Sequence, residues 1–284
     1  MQIAHIVNPV GAEPGSDLRI AQPITFESMR VAAEYAAPSI QVDLISAQFA
    51  QDRATVPPFI RLTRDLDRSA SDVGTFSVPR KLPLLGDILE RLSEASPQAD
   101  ICVYTNVDIG LVPHFYVSIA ALVDDSDALI INRRTIPAHL NSVDQLPLMY
   151  AEAGKRHPGF DCFVFDASLL GTFELGHSLV GAPWVGKAML CNLACHAQSF
   201  ALCEDLHLTF HIGNDRAWRR PELDDYRAHN RRELLGILEG WNRLGLVHDN
   251  TILGDALLRA ARVEHLGAVS KTRPLDRLLR AIRR

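Results

Sequence analysis

The stretch DICVYTNVDIGLVPHFY, residues 100–116, holds the residues whose types and spacing most directly suggest chemistry. An apolar run from Ile101 to Tyr104 breaks into Asn106-Val107-Asp108. On an extended backbone, residues i and i+2 project to the same side, roughly 6.5 Å apart. A slight bend at a strand end brings both side-chain oxygens towards one ion or its waters. Oxygen ligands suit a hard divalent cation such as Mg2+ or Mn2+, held by one or two protein groups and completed by substrate phosphates. An amide beside a carboxylate carries one negative charge, not two, so phosphate oxygens must supply more of the affinity. Asn and Asp also favour turns and helix caps, so the motif alone leaves a purely structural role open.

A second candidate lies in CEDLHLTFHIGND, residues 203–215. Asp205, His207, Thr209 and His211 alternate with Leu206, Leu208 and Phe210, and this period of two predicts a strand over 203–211. On a helix His207 and His211 would be neighbours; on a strand they stand about 13 Å apart and cannot share an ion. His211, just before Gly213, is the better single ligand. Asp215 and Trp218 follow, and Trp218 has the ring to stack on a base or sugar. Cys191, Cys195 and His196 sit in an apolar helix-like run with no second ligand pair, which disfavours zinc.

These residues need elements to position them. Residues 3–10 read as a strand, 25–37 as a helix with Thr25 as N-cap, and 40–46 as a strand. A helix over 82–95, the strand 99–105, a helix over 114–123, a strand over 128–136 and a helix over 142–153 follow. Residues 160–166 read as a strand, 183–199 as a helix, and everything from Pro221 as helical. Strands alternating with helices predict an α/β fold with a largely parallel sheet covered on both faces. In such sheets ligands bind beyond the carboxyl ends of strands, which is where Asn106 and Asp108 fall.

The chain has 284 residues, 47% hydrophobic and 22% charged, with a net charge of −5, which argues against a general nucleic-acid binder. No apolar window is long enough to predict a transmembrane helix, and the start MQIAHIVNPVG lacks the marks of a signal peptide. Five cysteines in apolar segments read as buried thiols of a reducing cytoplasm. RPLDRLLRAIRR, residues 273–284, places Leu275, Leu278, Leu279 and Ile282 on one stripe among five arginines. Such a helix either docks on its own domain or lies on an anionic membrane surface, giving a cytoplasmic protein a peripheral membrane contact.

VYTNVDI resembles the D-x-D motif of GT-A glycosyltransferases, with Asn in the first position. QPITFESM and the opening strand resemble the nucleotide-binding half of such enzymes, and RKLPLLGDILERL the helix before the motif. INRRTI, HPGFDCFVF and GAPWVGKAML resemble the acceptor-side half. The resemblance spans residues 1–220 and leaves 221–284 as a helical C-terminal extension. It implies a GT-A-like, Rossmann-like sheet and a glycosyltransferase using Mn2+ or Mg2+. The donor would be a nucleotide-sugar and the acceptor a glycan or lipid-linked molecule, as in polysaccharide biosynthesis. Asp108 would be the direct metal ligand, His211 the late one, and Asn106 a contact to ribose or metal-bound water. Asn8, at the first strand's end, would meet the base, with Asp67 a similar candidate.

Arg80, with Lys81, would meet diphosphate oxygens. Arg133 and Arg134 are adjacent, so only one faces the site, where it would bind phosphate or an anionic acceptor. Trp184 belongs to the acceptor side. An inverting transferase also needs a general base. The family often places an acid after G-x-x-W, but here Val185, Gly186 and Lys187 follow. Asp161 is the nearest alternative, with His157 beside it and Glu174 a weaker choice. Two other readings stay open: a non-catalytic nucleotide-sugar-binding or scaffold protein with a degenerate site, and a nucleotidyltransferase. The latter is disfavoured because NPVGAEPGS carries no Lys or Arg.

Overall fold

The computed structural model describes residues 1–213 and 220–267. Asp215, Trp218 and the amphipathic stretch 273–284 lie outside the described residues. In chain order the elements are β1 (Gln2–Val7), α1 (Leu18–Ala36), β2 (Gln41–Ser46), β3 (Arg61–Leu62), α2 (Ala70–Val73) and α3 (Leu85–Ala95). Then come β4 (Ile101–Thr105), β5 (Gly110–Leu111), α4 (Phe115–Leu122), β6 (Ala128–Ile131), β7 (Arg134–Ile136), α5 (Leu146–Ala151) and β8 (Lys155–Arg156). The rest are β9 (Cys162–Asp166), α6 (Val185–His196), β10 (Phe200–Cys203), β11 (Thr209–Ile212), α7 (Asp224–Arg243) and α8 (Thr251–Gly267).

Seven strands form one sheet in the order β10-β6-β9-β4-β1-β2-β3. It is parallel except for β9, which runs against both β4 and β6. Both faces are covered, so the strands read as continuous apolar runs. Ile3, Val7, Ile101, Val103 and Val164 pack with Phe26, Met29 and Phe115 on one face. Ala4, Ile6, Tyr104 and Phe163 pack with Ile88, Leu92 and Met189 on the other. A smaller sheet, β5-β11-β7-β8, lies at the site and ties the motif segment to His211.

Three sequence expectations are corrected. The first helix begins at Leu18 rather than at Thr25, and runs through Pro23. Gln22 holds that early turn, bonding both the N–H and the C=O of Val10 at 2.8 Å, a tertiary contact that overrides the proline. The strand expected over 128–136 is two strands, β6 and β7, in different sheets. The strand expected over 203–211 is likewise split: β10 ends at Cys203, residues 204–208 turn, and β11 starts at Thr209 in the other sheet. His207 therefore sits in a turn, and the alternation that set it 13 Å from His211 does not hold as a backbone.

His5, in the centre of β1, is fully buried between the Tyr116 hydroxyl (2.7 Å) and Thr105 Oγ1 (2.9 Å). Burial pulls its pKa from 6.5 to about 3. As pH falls the unfolded chain takes the proton first, so this contribution is complete above pH 6.5 and is lost between 6.5 and 3. At about 1.4 kcal/mol per pH unit, roughly 2 kcal/mol is gone at pH 5. His5→Gln should flatten the pH dependence of unfolding in this window; an unchanged slope refutes the assignment.

Among the described residues, no helix is long and apolar enough to cross a membrane. α7 and α8 share a core with α6, built from Cys191, Leu234, Leu238, Trp241, Leu253 and Leu257. The first turns of α7 also clasp two loops. Tyr226 stacks on Phe76 at 4.0 Å, and its hydroxyl accepts from the Arg80 N–H (2.7 Å) and donates to Val78 O (2.9 Å). Asn230 accepts from the Leu179 N–H at 2.8 Å and donates to Leu179 O and Pro183 O at 2.9 and 3.0 Å.

Candidate active site

β4 is buried along its whole length and ends at Thr105, so the polar residues appear where the sheet's carboxyl edge opens. Asn106 donates its backbone N–H to Asp161 O (3.2 Å), and Ile109 donates back to Asn106 O (3.2 Å), closing a turn. The chain then enters β5, which pairs antiparallel with β11: Gly110 faces Phe210 and Leu111 faces Thr209. A Cβ on Gly110 would lie 2.3 Å from the Phe210 ring, so only glycine fits under it.

That pairing brings His211 to Asp108, with Nε2 and Oδ2 3.3 Å apart. His211 Nδ1 lies 3.0 Å from Gly213 O. A carbonyl only accepts, so Nδ1 carries the hydrogen and Nε2 faces the carboxylate. Burial pushes the Asp108 carboxyl up, yet the hydrogen bond and charge of His211, with Arg133 behind, outweigh it and hold it below its ordinary value. Burial pushes His211 down, and Asp108 outweighs that in turn and leaves it raised. Asp108 Oδ1 is buried with no hydrogen-bond partner.

Asp161, just before β9, is also buried. Its Oδ1 accepts from Asn106 Nδ2 (3.1 Å) and its Oδ2 from Arg133 Nη1 (2.9 Å). Burial raises its pKa against the pull of Arg133, and the charge of Asp108 adds to the rise. Arg133 Nε is buried without a partner. His157 Nδ1 accepts the Gly159 N–H at 2.9 Å. Burial, then the charges of Arg133 and His211, pull this imidazole down to about 4.

The structure thus gathers Asn106, Asp108, Arg133, His157, Asp161 and His211. Arg134 turns the other way, to Ala153 O (2.6 Å), Gly154 O (3.1 Å) and Asp205 (2.9 Å). Asn8 donates to Ala47 O at 2.6 Å, at the adjoining ends of β1 and β2. Asp67 is exposed and ion-paired with Arg64 (3.5 Å) and the buried Arg91 (3.7 Å). Arg80 is exposed on the loop that Tyr226 clasps. Glu174 accepts from Trp241 Nε1 at 2.7 Å, a bond that joins α7 to the segment before α6.

Trp184 caps α6 with φ of 81°, in the left-handed region that side chains other than glycine rarely occupy. Lys187 Nζ stands 4.4 Å over its ring. A Cβ on Gly186 would lie 2.6 Å from Phe160 O, so the first turn of α6 presses against the segment that ends in Asp161.

Two residues escaped sequence reasoning. Tyr104 has a buried, unpartnered hydroxyl, and the charges of Asp108 and Asp161 add to the rise that burial gives its pKa. Its signal was parity, since Tyr104, Asn106 and Asp108 are two apart. Asp52 accepts the Gly11 N–H at 2.7 Å, beside the end of β1. Nothing in AQDRAT distinguished it from a solvated loop acid.

A divalent ion about 2.1 Å from each of two adjacent octahedral ligands sets them about 3 Å apart. The 3.3 Å between Asp108 and His211 fits that without rearrangement, and the orphaned Oδ1 of Asp108 is the kind of atom an ion satisfies. Among the described residues, no group of three or more His, Cys, Asp or Glu side chains is gathered for a metal. Protein ligands alone would therefore leave an ion here incomplete.

No family model matches the chain. No curated protein matches it. Solved structures do. S. aureus TarS 1-349 superposes with a TM-score of 0.50 at 10% identity, covering 95% of this chain and 76% of that one. TarS 1-349 in complex with UDP-GlcNAc gives a TM-score of 0.47 at 11% identity, over 83% and 67%. Glucosyl-3-phosphoglycerate synthase from Mycobacterium tuberculosis, in complex with Mn2+, UDP and phosphoglyceric acid, gives 0.48 at 17% identity, over 84% and 78%. The likeness to TarS 1-349 shows the fold: a mixed α/β, largely parallel sheet flanked by helices, as the resemblance to GT-A glycosyltransferases implied.

Proposed function

We propose that the chain is a divalent-metal-dependent glycosyltransferase that takes a sugar from a nucleotide-sugar. The observation that carries this is the Asp108–His211 pair, 3.3 Å apart at the carboxyl end of β4, with one carboxylate oxygen left bare. Asp108 and His211 would hold Mn2+ or Mg2+, and that ion would neutralise the charge developing on the diphosphate leaving group. Asn106 would accept from ribose or from water on the metal. Asn8 and Asp52 border the place for a base, and Arg80 that for the diphosphate. Trp184, Arg133 and His157 flank the acceptor side, for a glycan or lipid-linked hydroxyl.

A second reading is a nucleotide-sugar binder without turnover. It is favoured by one observation: Asp161, the nearest acid to serve as base, has both carboxylate oxygens engaged.

A thermal-shift screen of nucleotide-sugars with and without Mn2+ tests both. A true donor at a hundredfold excess over its dissociation constant should stabilise the protein by about 2.7 kcal/mol. Mn2+-dependent release of nucleoside diphosphate then separates transferase from binder, and no stabilisation by any donor sinks both. His211→Ala should raise the Mn2+ concentration for half-maximal turnover about tenfold or more, as loss of one ligand from a shared ion requires. An unchanged Mn2+ requirement would remove His211 from the ligand set.

A further inference from the structure

The turn after β4 faces the residue before β9, because the β4–β9 register sets Thr105 opposite Cys162. Asn106 and Asp161 are joined twice, by backbone N–H to C=O at 3.2 Å and by side-chain Nδ2 to Oδ1 at 3.1 Å. Arg133 takes the other oxygen of Asp161 at 2.9 Å. From this geometry we infer that Asp161 is a positioning residue for Asn106, and that it is what makes an amide obligatory at position 106.

An ionised carboxylate only accepts, so its neighbour at 3.1 Å must donate. Asn106 satisfies this with Nδ2, which fixes its Oδ1 as the acceptor turned away from Asp161. The amide orientation follows from that bond. The site's charges also balance. Asp108 and Asp161 stand with Arg133 and a His211 that Asp108 favours as the cation. A carboxylate at 106 would put a third acid against Asp161, with no donor between them. The second carboxylate of a D-x-D motif is therefore present, but on β9's side of the strand pair. Restoring the motif by Asn106→Asp would damage the site rather than improve it.

This rests in part on the transferase reading, and a double-mutant cycle keeps the two separable. Wild type, Asn106→Asp, Asp161→Asn and the double variant would be compared by thermal unfolding without ligand, by Mn2+ binding, and by turnover of the donor found in the screen. Each single change should lower the melting temperature and reduce turnover about tenfold or more. The double variant exchanges donor and acceptor between the strands and should recover most of both, a coupling of about tenfold. If Asp161 were the general base, the double variant would be as inactive as Asp161→Asn, and the inference would fall. It also falls if Asn106→Asp matches wild type, or if the two changes simply add. Should Asp161→Asn not fold, recovery of Asn106→Asp by the second change still decides. If wild type turns over no donor, the unfolding and Mn2+ arms of the cycle decide alone.

Discussion

Replacing Asp108 with alanine should reduce metal-dependent turnover by about 10²- to 10³-fold, the scale on which single charge-stabilising groups act at reacting centres. Asp108 is the only carboxylate that faces His211, and its burial is held against the desolvation cost by that imidazole and Arg133. Asp108→Asn is the sharper version. It keeps the shape and removes the charge, so the remaining metal affinity reports what charge alone contributes. Both variants should fold, because Asp108 Oδ1 makes no bond whose loss would be felt. Asn106→Ala removes no charge and should be the milder lesion. Turnover within threefold of wild type in Asp108→Ala would end the metal-ligand assignment, and Mn2+ titration of the same samples shows whether the ion was lost.

The second large effect is on stability and lies away from the metal. Asn230→Ala should cost about 3–5 kcal/mol. Its side chain satisfies three backbone groups, the N–H and C=O of Leu179 and the C=O of Pro183, and both Leu179 and Asn230 are buried. Each buried group left unpaired costs about 1–3 kcal/mol. In a chain of this size the melting temperature should fall by roughly 10 °C. The loop concerned leads directly into Trp184, so acceptor use should suffer more than donor hydrolysis. Tyr226→Phe offers the contrast, since its hydroxyl serves only the loop that carries Arg80. A melting temperature within 2 °C of wild type, checked by calorimetry of Asn230→Ala, would show that the loop is held by other contacts.

How far the sequence could be read depended on where each signal came from. β1, β2, β4 and β9 were legible because a strand buried on both faces is a short apolar run between breakers. The ends of such runs were legible too, which is why Asp108 and His211 were found. The splits at Asn132-Arg133 and at residues 204–208 were not, because no glycine or proline marks them and each apolar pattern resumes almost in phase. Tertiary contact moved the start of α1, through the Gln22 bonds to Val10. The role of Asp161 was hidden for a similar reason. Its partners Asn106 and Arg133 lie 55 and 28 residues away, and only the strand register joins them.

The fit of Gly110 beneath Phe210 has a consequence for how this chain can change. β5 and β11 meet through just two residue pairs, and side chains in a strand alternate faces. Inserting or deleting one residue between Asp108 and Leu111 would turn His211 to the opposite face, with every other contact of the large sheet intact. The three positions from Asp108 to Gly110 should therefore refuse any change of length, whereas the turn at 204–208, which no strand pairing crosses, should accept several added residues. A library of single insertions along the chain would register this as one narrow silent gap beside a broad tolerant window.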